Sequence, residues 1–337
     1  MITIILLIFG LNPPDIQDKI RLQTQEYLQI VAPSSLTICE DDTLILPTPT
    51  AVWHFSLKDG SLIRKFGERG EGKNRYQFIS AVAWDGTHYW ISDGGQLTIT
   101  VYDPQQSDDK IVKIPYYLEN LTYKHGILFG AGDISLNLFK GKNPRWVVPH
   151  LSVEKIRSGQ ALWENHDRFH TLSDKIKQLS NNYTNHFIEV EKTKEGFRYW
   201  VMNEVDPVIS IYDDKNFKIV RKIPLELYHF KNGPDKFLAP PFTRIRILEW
   251  ENQWSRISGF GFIGDAVVVA YNTPASTKER DKNMMFHLVS RDGAFIPDSQ
   301  MAFQGHFIGA KDNRIFTLRE ESDEFDNPKF FIQIFNY

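Results

Sequence analysis

Between Phe78 and Tyr102 the chain reads FISAVAWDGTHYWISDGGQLTITVY, three short apolar runs divided by an Asp85-Gly86 turn and a corner at Asp93-Gly94-Gly95. Apolar residues at period 2 between Asp/Gly turns mark an antiparallel meander. The same order recurs at Leu36–Leu57, Leu121–Gly141, Phe187–Asp214, Ile257–Gly293 and His306–Asn336. A unit of three or four short strands cannot bury both of its faces alone. Copies must stack side by side, and the stacking that protects their edges is a ring.

The turn after the third strand falls at Asp59, Asp103, Gly141, Asp213 and Asp292. The first two intervals are about 40 residues, the length of one four-stranded blade, and the later two are about 75. The long intervals are read as insertions at Val153–Tyr183 and Leu225–Trp254, the second with one strand, Thr243–Trp250. The expected fold class is therefore all-β: a six-bladed β-propeller, with seven blades as the alternative count. The last unit has three strands before Tyr337, so Arg21–Val31 is expected to supply its outer strand and tie the two termini together.

The stretch Gly67-Glu-Arg-Gly70-Glu-Gly72, then Phe78, Ala81–Trp84, Tyr89-Trp90-Ile91-Ser92-Asp93 and Ile99-Thr-Val-Tyr-Asp103, resembles an NHL-type repeat of the six-bladed, TolB-like β-propellers. The match covers Val52–Asp103, near one sixth of the chain. The proline common after the last glycine of that loop is missing, and the other units lack the glycine loop. The resemblance implies the fold, and it implies no one activity, because such scaffolds host hydrolases, lyases and binding proteins.

Composition narrows the function classes. With 39 Lys+Arg against 42 Asp+Glu, a net charge of -3 and no basic run, nucleic acid is not an expected partner. The single cysteine, Cys39, excludes an intramolecular disulfide and a multi-cysteine metal centre. The apolar run Ile2–Leu11, broken by Asn12-Pro13-Pro14, is too short to span a bilayer, which takes about 20 residues. Residues 1–14 read as a signal-like segment and 21–337 as a single propeller domain, exported to a bacterial periplasm, or cytoplasmic if the run is no signal. No later run is long enough to be a transmembrane span.

Local motifs offer little chemistry. Gly259-Phe-Gly261-Phe-Ile-Gly264 has the glycine spacing of a dinucleotide loop, but an apolar strand follows it where a helix is required. His166 and His170, four apart, lack the zincin order and read as a solvated insertion. Acidic Glu320–Asp326 lacks the mid-loop glycine of an EF-hand and reads as a charged hairpin loop.

The repeat itself places Asp93, Asp133, Asn203, Asn272 and Arg319 just after successive second strands, at one mouth of the central channel, with Arg75 of the glycine loop nearby. Their oxygens could hold a cation or a polar ligand, and Asp and Asn at strand ends equally cap backbone amides. The expected function is a non-enzymatic, exported binding scaffold for a protein partner or small polar ligand. The alternative is a metal-dependent hydrolase or lyase at the channel mouth, using a divalent cation such as calcium.

Overall fold

Strands flanked on both faces by other sheets must be apolar throughout, and AVVVAY and ISAVAW satisfy that demand. The computed structural model describes residues 17–24, 26–30, 35–105, 109–114, 116–134, 145–151, 186–215, 218–233, 243–274, 284–297 and 299–337. Strand β1 (Asp18–Arg21) precedes a first blade of β2 (Thr37–Ile38), β3 (Thr43–Pro47), β4 (Val52–Ser56) and β5 (Leu62–Phe66). A parallel ribbon of β6 (Glu68–Arg69) and β7 (Arg75–Tyr76) leads to the second blade: β8 (Ile79–Trp84), β9 (Tyr89–Asp93), β10 (Thr98–Tyr102) and β11 (Lys110–Lys113). A three-stranded sheet follows, of β12 (Tyr116–Lys124), β13 (Ile127–Ile134) and β14 (Arg145–Leu151).

The third blade is β15 (His186–Thr193), β16 (Gly196–Asn203), β17 (Asp206–Asp213) and β18 (Ile219–Pro224). Helix α1 (Arg244–Glu251) comes before the fourth blade, β19 (Arg256–Ile263), β20 (Ala266–Asn272), β21 (Met284–Ser290) and β22 (Met301–Phe303). The fifth blade is β23 (His306–Lys311), β24 (Arg314–Ser322) and β25 (Pro328–Asn336), completed by β1. The innermost strands are β2, β8, β12, β15, β19 and β23; β8 meets β12, β15 meets β19, and β23 meets both β19 and β2.

Apolar layers fill the seams between neighbouring sheets. Tyr89 and Ile91 meet Ile45 and Val52, while Trp90 and Val101 face Leu118 and Leu128 of the three-stranded sheet. In β20 the sides alternate: Val267, Val269 and Tyr271 pack towards the third blade, Val268 and Ala270 towards the fifth. Outer strands meet water instead, and β5 is exposed from Leu62 to Lys65. Glycines bring β19 close to β23: a Cβ on Gly259 would lie 2.5 Å from the Phe307 ring, and one on Gly261 would lie 2.9 Å from the Ala310 Cβ. The ring closes where Leu22 and Leu28 join Phe316 and Ile332 against Leu44 and Trp53.

Three expectations are corrected. The propeller has five four-stranded blades, not six or seven, because the unit at Leu121–Gly141 forms a sheet of three strands, with no outer strand among the described residues. Its third strand is Arg145–Leu151, after residues 135–144. The strand completing the last blade is Asp18–Arg21 rather than Arg21–Val31: beyond Arg21 the chain turns its leucines inward, and Leu22 and Leu28 are almost fully buried. Thr243–Trp250 is helical, not extended. Thr243 Oγ1 caps it by accepting the Arg246 amide at 3.3 Å, and Trp250 and Trp254, four residues apart, pack edge to face at 5.2 Å. Residues 1–16, Val153–Tyr183 and the His166/His170 pair lie outside the described residues.

Candidate functional site

All inner strands run the same way, so the channel has one mouth where they begin and another where they turn into the second strands. The residues expected from the repeat belong to the first mouth. Asp93 is 1% exposed at the end of β9, and its carboxylate accepts four backbone amides: Gln77 (2.8 Å), Phe78 (3.1 Å), Gly95 (2.9 Å) and Gln96 (3.1 Å). Asn203 Oδ1 accepts the Val205 amide at 3.0 Å while its Nδ2 lies 3.3 Å from His186 Nε2. Asn272 Oδ1 accepts the Arg256 amide at 2.9 Å. All three side chains are buried. Each ties the end of a second strand to its own turn or to the chain entering its inner strand, and none has to reach a ligand to be satisfied.

The other three are placed differently. Arg319 forms an ion pair with Glu321, Nε to Oε1 at 3.0 Å, and Glu321 also holds Lys19. Arg75 is 56% exposed and faces Glu68 at 3.9 Å. Asp133 lies inside β13 rather than after it, in register with Tyr117 and Arg145. Among the described residues no three His, Cys, Asp or Glu side chains are grouped as a metal site. The acidic Glu320–Asp326 stretch runs into the β24–β25 turn, where Asp323 accepts the Phe325 and Asn327 amides at 2.9 Å, bonds that hold its pKa down at about 2.

The second mouth carries a cavity of about 400 Å³, the size of a small-molecule site. Four sheets build it. Leu36–Glu40 come from around β2, Thr122–His125 from the end of β12, Glu189 from β15 and Ile308–Asp312 from the end of β23. Its floor is apolar, with Leu36, Ile38 and Ile308, and its rim is charged. Lys311 Nζ donates to the carbonyls of Cys39 (3.2 Å) and Glu40 (2.8 Å) and to Asp42 Oδ1 (2.8 Å). The Lys311 bond, joined by Arg314, keeps the Asp42 carboxyl below the usual carboxylate range.

Lys124 Nζ lies 2.7 Å from Glu189 Oε2 and 5.5 Å from the centre of the Phe262 ring. Beyond it, Arg291 stacks on the same ring at 3.7 Å and faces Glu191. The His125 amide donates to Glu40 Oε1 at 3.2 Å, and partial burial, then Lys124, lower the pKa of its ring, favouring the neutral form. Burial pushes the Cys39 thiol up to about 12, so it is a wall and not a nucleophile.

Sequence reasoning left these residues among the turns. A signal was present: Cys39-Glu40, Lys124-His125 and Lys311-Asp312 occupy one position of the repeat, the end of the first strand and the residue after it. Superposing the units at that position, rather than after the second strand, groups them.

No family model matches the chain, and no curated protein does. Solved structures do. A member of the DUF4221 family from Bacteroides vulgatus is 11% identical, with 95% of this chain and 98% of that one covered, at a TM-score of 0.56. A presumed exported protein from Bacteroides fragilis is 12% identical, with 95% and 94% covered, at a TM-score of 0.54. At such identities the likeness is one of fold. Over nearly its whole length, then, this chain shares its architecture with these two bacterial proteins, and that architecture is a β-propeller.

Proposed function

We propose that this chain is a binding scaffold, and that a small polar ligand seats in the cavity at the second mouth. The observation that carries the reading is the convergence there of residues from four sheets on about 400 Å³, with an apolar floor and charged rim. At the first mouth, by contrast, Asp93, Asn203 and Asn272 hold backbone amides. Export belongs to the same proposal and rests on Ile2–Leu11.

The test is a thermal-shift screen of polar metabolites against the native protein and Thr122→Trp, which fills the cavity from β12. Ligands that raise the melting temperature of the native protein alone support the reading. Identical shifts in both proteins, from a properly folded variant, overturn it. A fusion of residues 1–30 to a reporter active only outside the cytoplasm tests export, and a silent reporter counts against it.

A further inference from the structure

We propose that the cavity at the second mouth takes an ammonium or guanidinium group carried on an aliphatic stem. This rests on reading the cavity as a binding site. The inventory of its polar groups carries the choice of charge. An ammonium has three donors, and those of Lys311 are occupied by Cys39 O, Glu40 O and Asp42. Lys124 is held against Glu189 at 2.7 Å, so each cation that lines the cavity already has an anionic neighbour.

The acceptors are less filled. A carboxylate offers about four acceptor positions. Glu40 takes the His125 amide and is 58% exposed, while Asp312 is 69% exposed and faces Lys311 at 3.8 Å and Arg314 at 3.7 Å, both beyond hydrogen-bond distance. What the rim can still accommodate is a donor-rich cation. Neutral His125 does not repel one, and Leu36, Ile38 and Ile308 offer the floor on which a methylene stem lies.

A free alkyl amine and the lysine or arginine side chain of a protein share this chemistry. Titration calorimetry at low salt with 1,6-diaminohexane, a lysine-containing hexapeptide and hexanoate separates them. Saturable binding of the diamine or the peptide supports the proposal, and the stronger of the two names the source. Glu40→Gln and Asp312→Asn should each weaken binding about tenfold, whereas Glu324→Gln on the β24–β25 turn should not. Because both substituted carboxylates are exposed, folding should survive, and unchanged melting checks it. Hexanoate binding without amine binding overturns the charge class and leaves the cavity reading intact. Amine binding that neither rim variant weakens overturns the proposal as well. If no probe binds and Thr122→Trp matches the native protein in the metabolite screen, both readings fall.

Discussion

His54 and Tyr89 meet edge to face across the seam between the first and second blades, with the imidazole Nδ1 2.6 Å from the phenol oxygen. Both are buried, His54 at 3% exposure and Tyr89 at 1%, and His54 Nε2 has no hydrogen-bond partner among the described residues. Tyr89→Phe leaves the whole ring without one. Orphaning a buried polar group costs about 1–3 kcal/mol, so denaturant melts of the variant should show a loss in that range. An unchanged midpoint would mean that the bond contributes nothing.

Acid should weaken the fold through the same residue. Burial, the main cause, pulls the His54 pKa down to about 4, with Asp41 opposing and Arg64 reinforcing. In the unfolded chain a histidine titrates near 6.5, so as pH falls that state takes up its proton first. The stability contributed by neutral His54 is complete above about pH 6.5, is lost as pH falls towards 4, and changes no further below that. His287 acts in the same direction, since burial lowers its pKa and neither ring nitrogen is hydrogen-bonded among the described residues. Melting temperatures taken at about pH 7.5 and about pH 5 should converge in His54→Gln relative to the native protein. An equal drop in both proteins would assign the acid sensitivity elsewhere.

Asp93→Ala removes the acceptor of four backbone amides at the corner between β9 and β10. Hydrogen bonds to a charged group contribute about 1.5–3 kcal/mol each, and their losses at one site are not additive. A destabilisation of about 3 kcal/mol, read from chemical denaturation, is expected. Faster amide exchange at Gly95 and Gln96 should accompany it. Loss of ligand binding with native stability would instead return Asp93 to the first mouth as a binding residue.

The closing segment should be worth more through its leucines than through its charges. Leu28 is fully buried against the first and last blades, and Leu28→Ala should cost about 2–5 kcal/mol. The Lys19–Glu321 pair is about a third exposed, and reversing both charges should change stability by less than about 1 kcal/mol. Removing residues 17–22 uncovers the edge of β25, so self-association on size-exclusion chromatography should rise.

Much of the ring was legible because buried strands cannot hide their pattern. AVVVAY could be nothing but a strand walled on both sides, and the Asp85-Gly86 and Gly264-Asp265 turns mark the hairpins. The helix at Arg244–Glu251 was not legible as such: Arg244-Ile245-Arg246-Ile247 alternates polar and apolar as a strand would over a short window, and a Thr243 cap decides it. The closing strand was misplaced because DKIR is exposed and polar, whereas the sequence after it is apolar on account of packing, not pairing. The cavity depends on residues from four sheets arriving at one mouth, and nothing within a single unit announces that. Asp and Asn after second strands draw attention as potential ligands, and the same residues accept backbone amides at the tight corners between strands.

The pairing of β1 with β25 also sets an order of events. Lys19 and Glu321 are 302 positions apart, so the last sheet cannot be completed until nearly the whole sequence has emerged. Strands within a blade pair through local hairpins, while this pairing, like the Lys311–Asp42 contact, joins the two ends of the ring and carries a large loop entropy. Ring closure is therefore the expected slow step of folding, and until it happens β25 presents a bare edge. A circular permutant that joins β25 to β1 through a short linker and opens at Asp103-Pro104 would make that pairing local, speed the final phase and shorten the period of exposure.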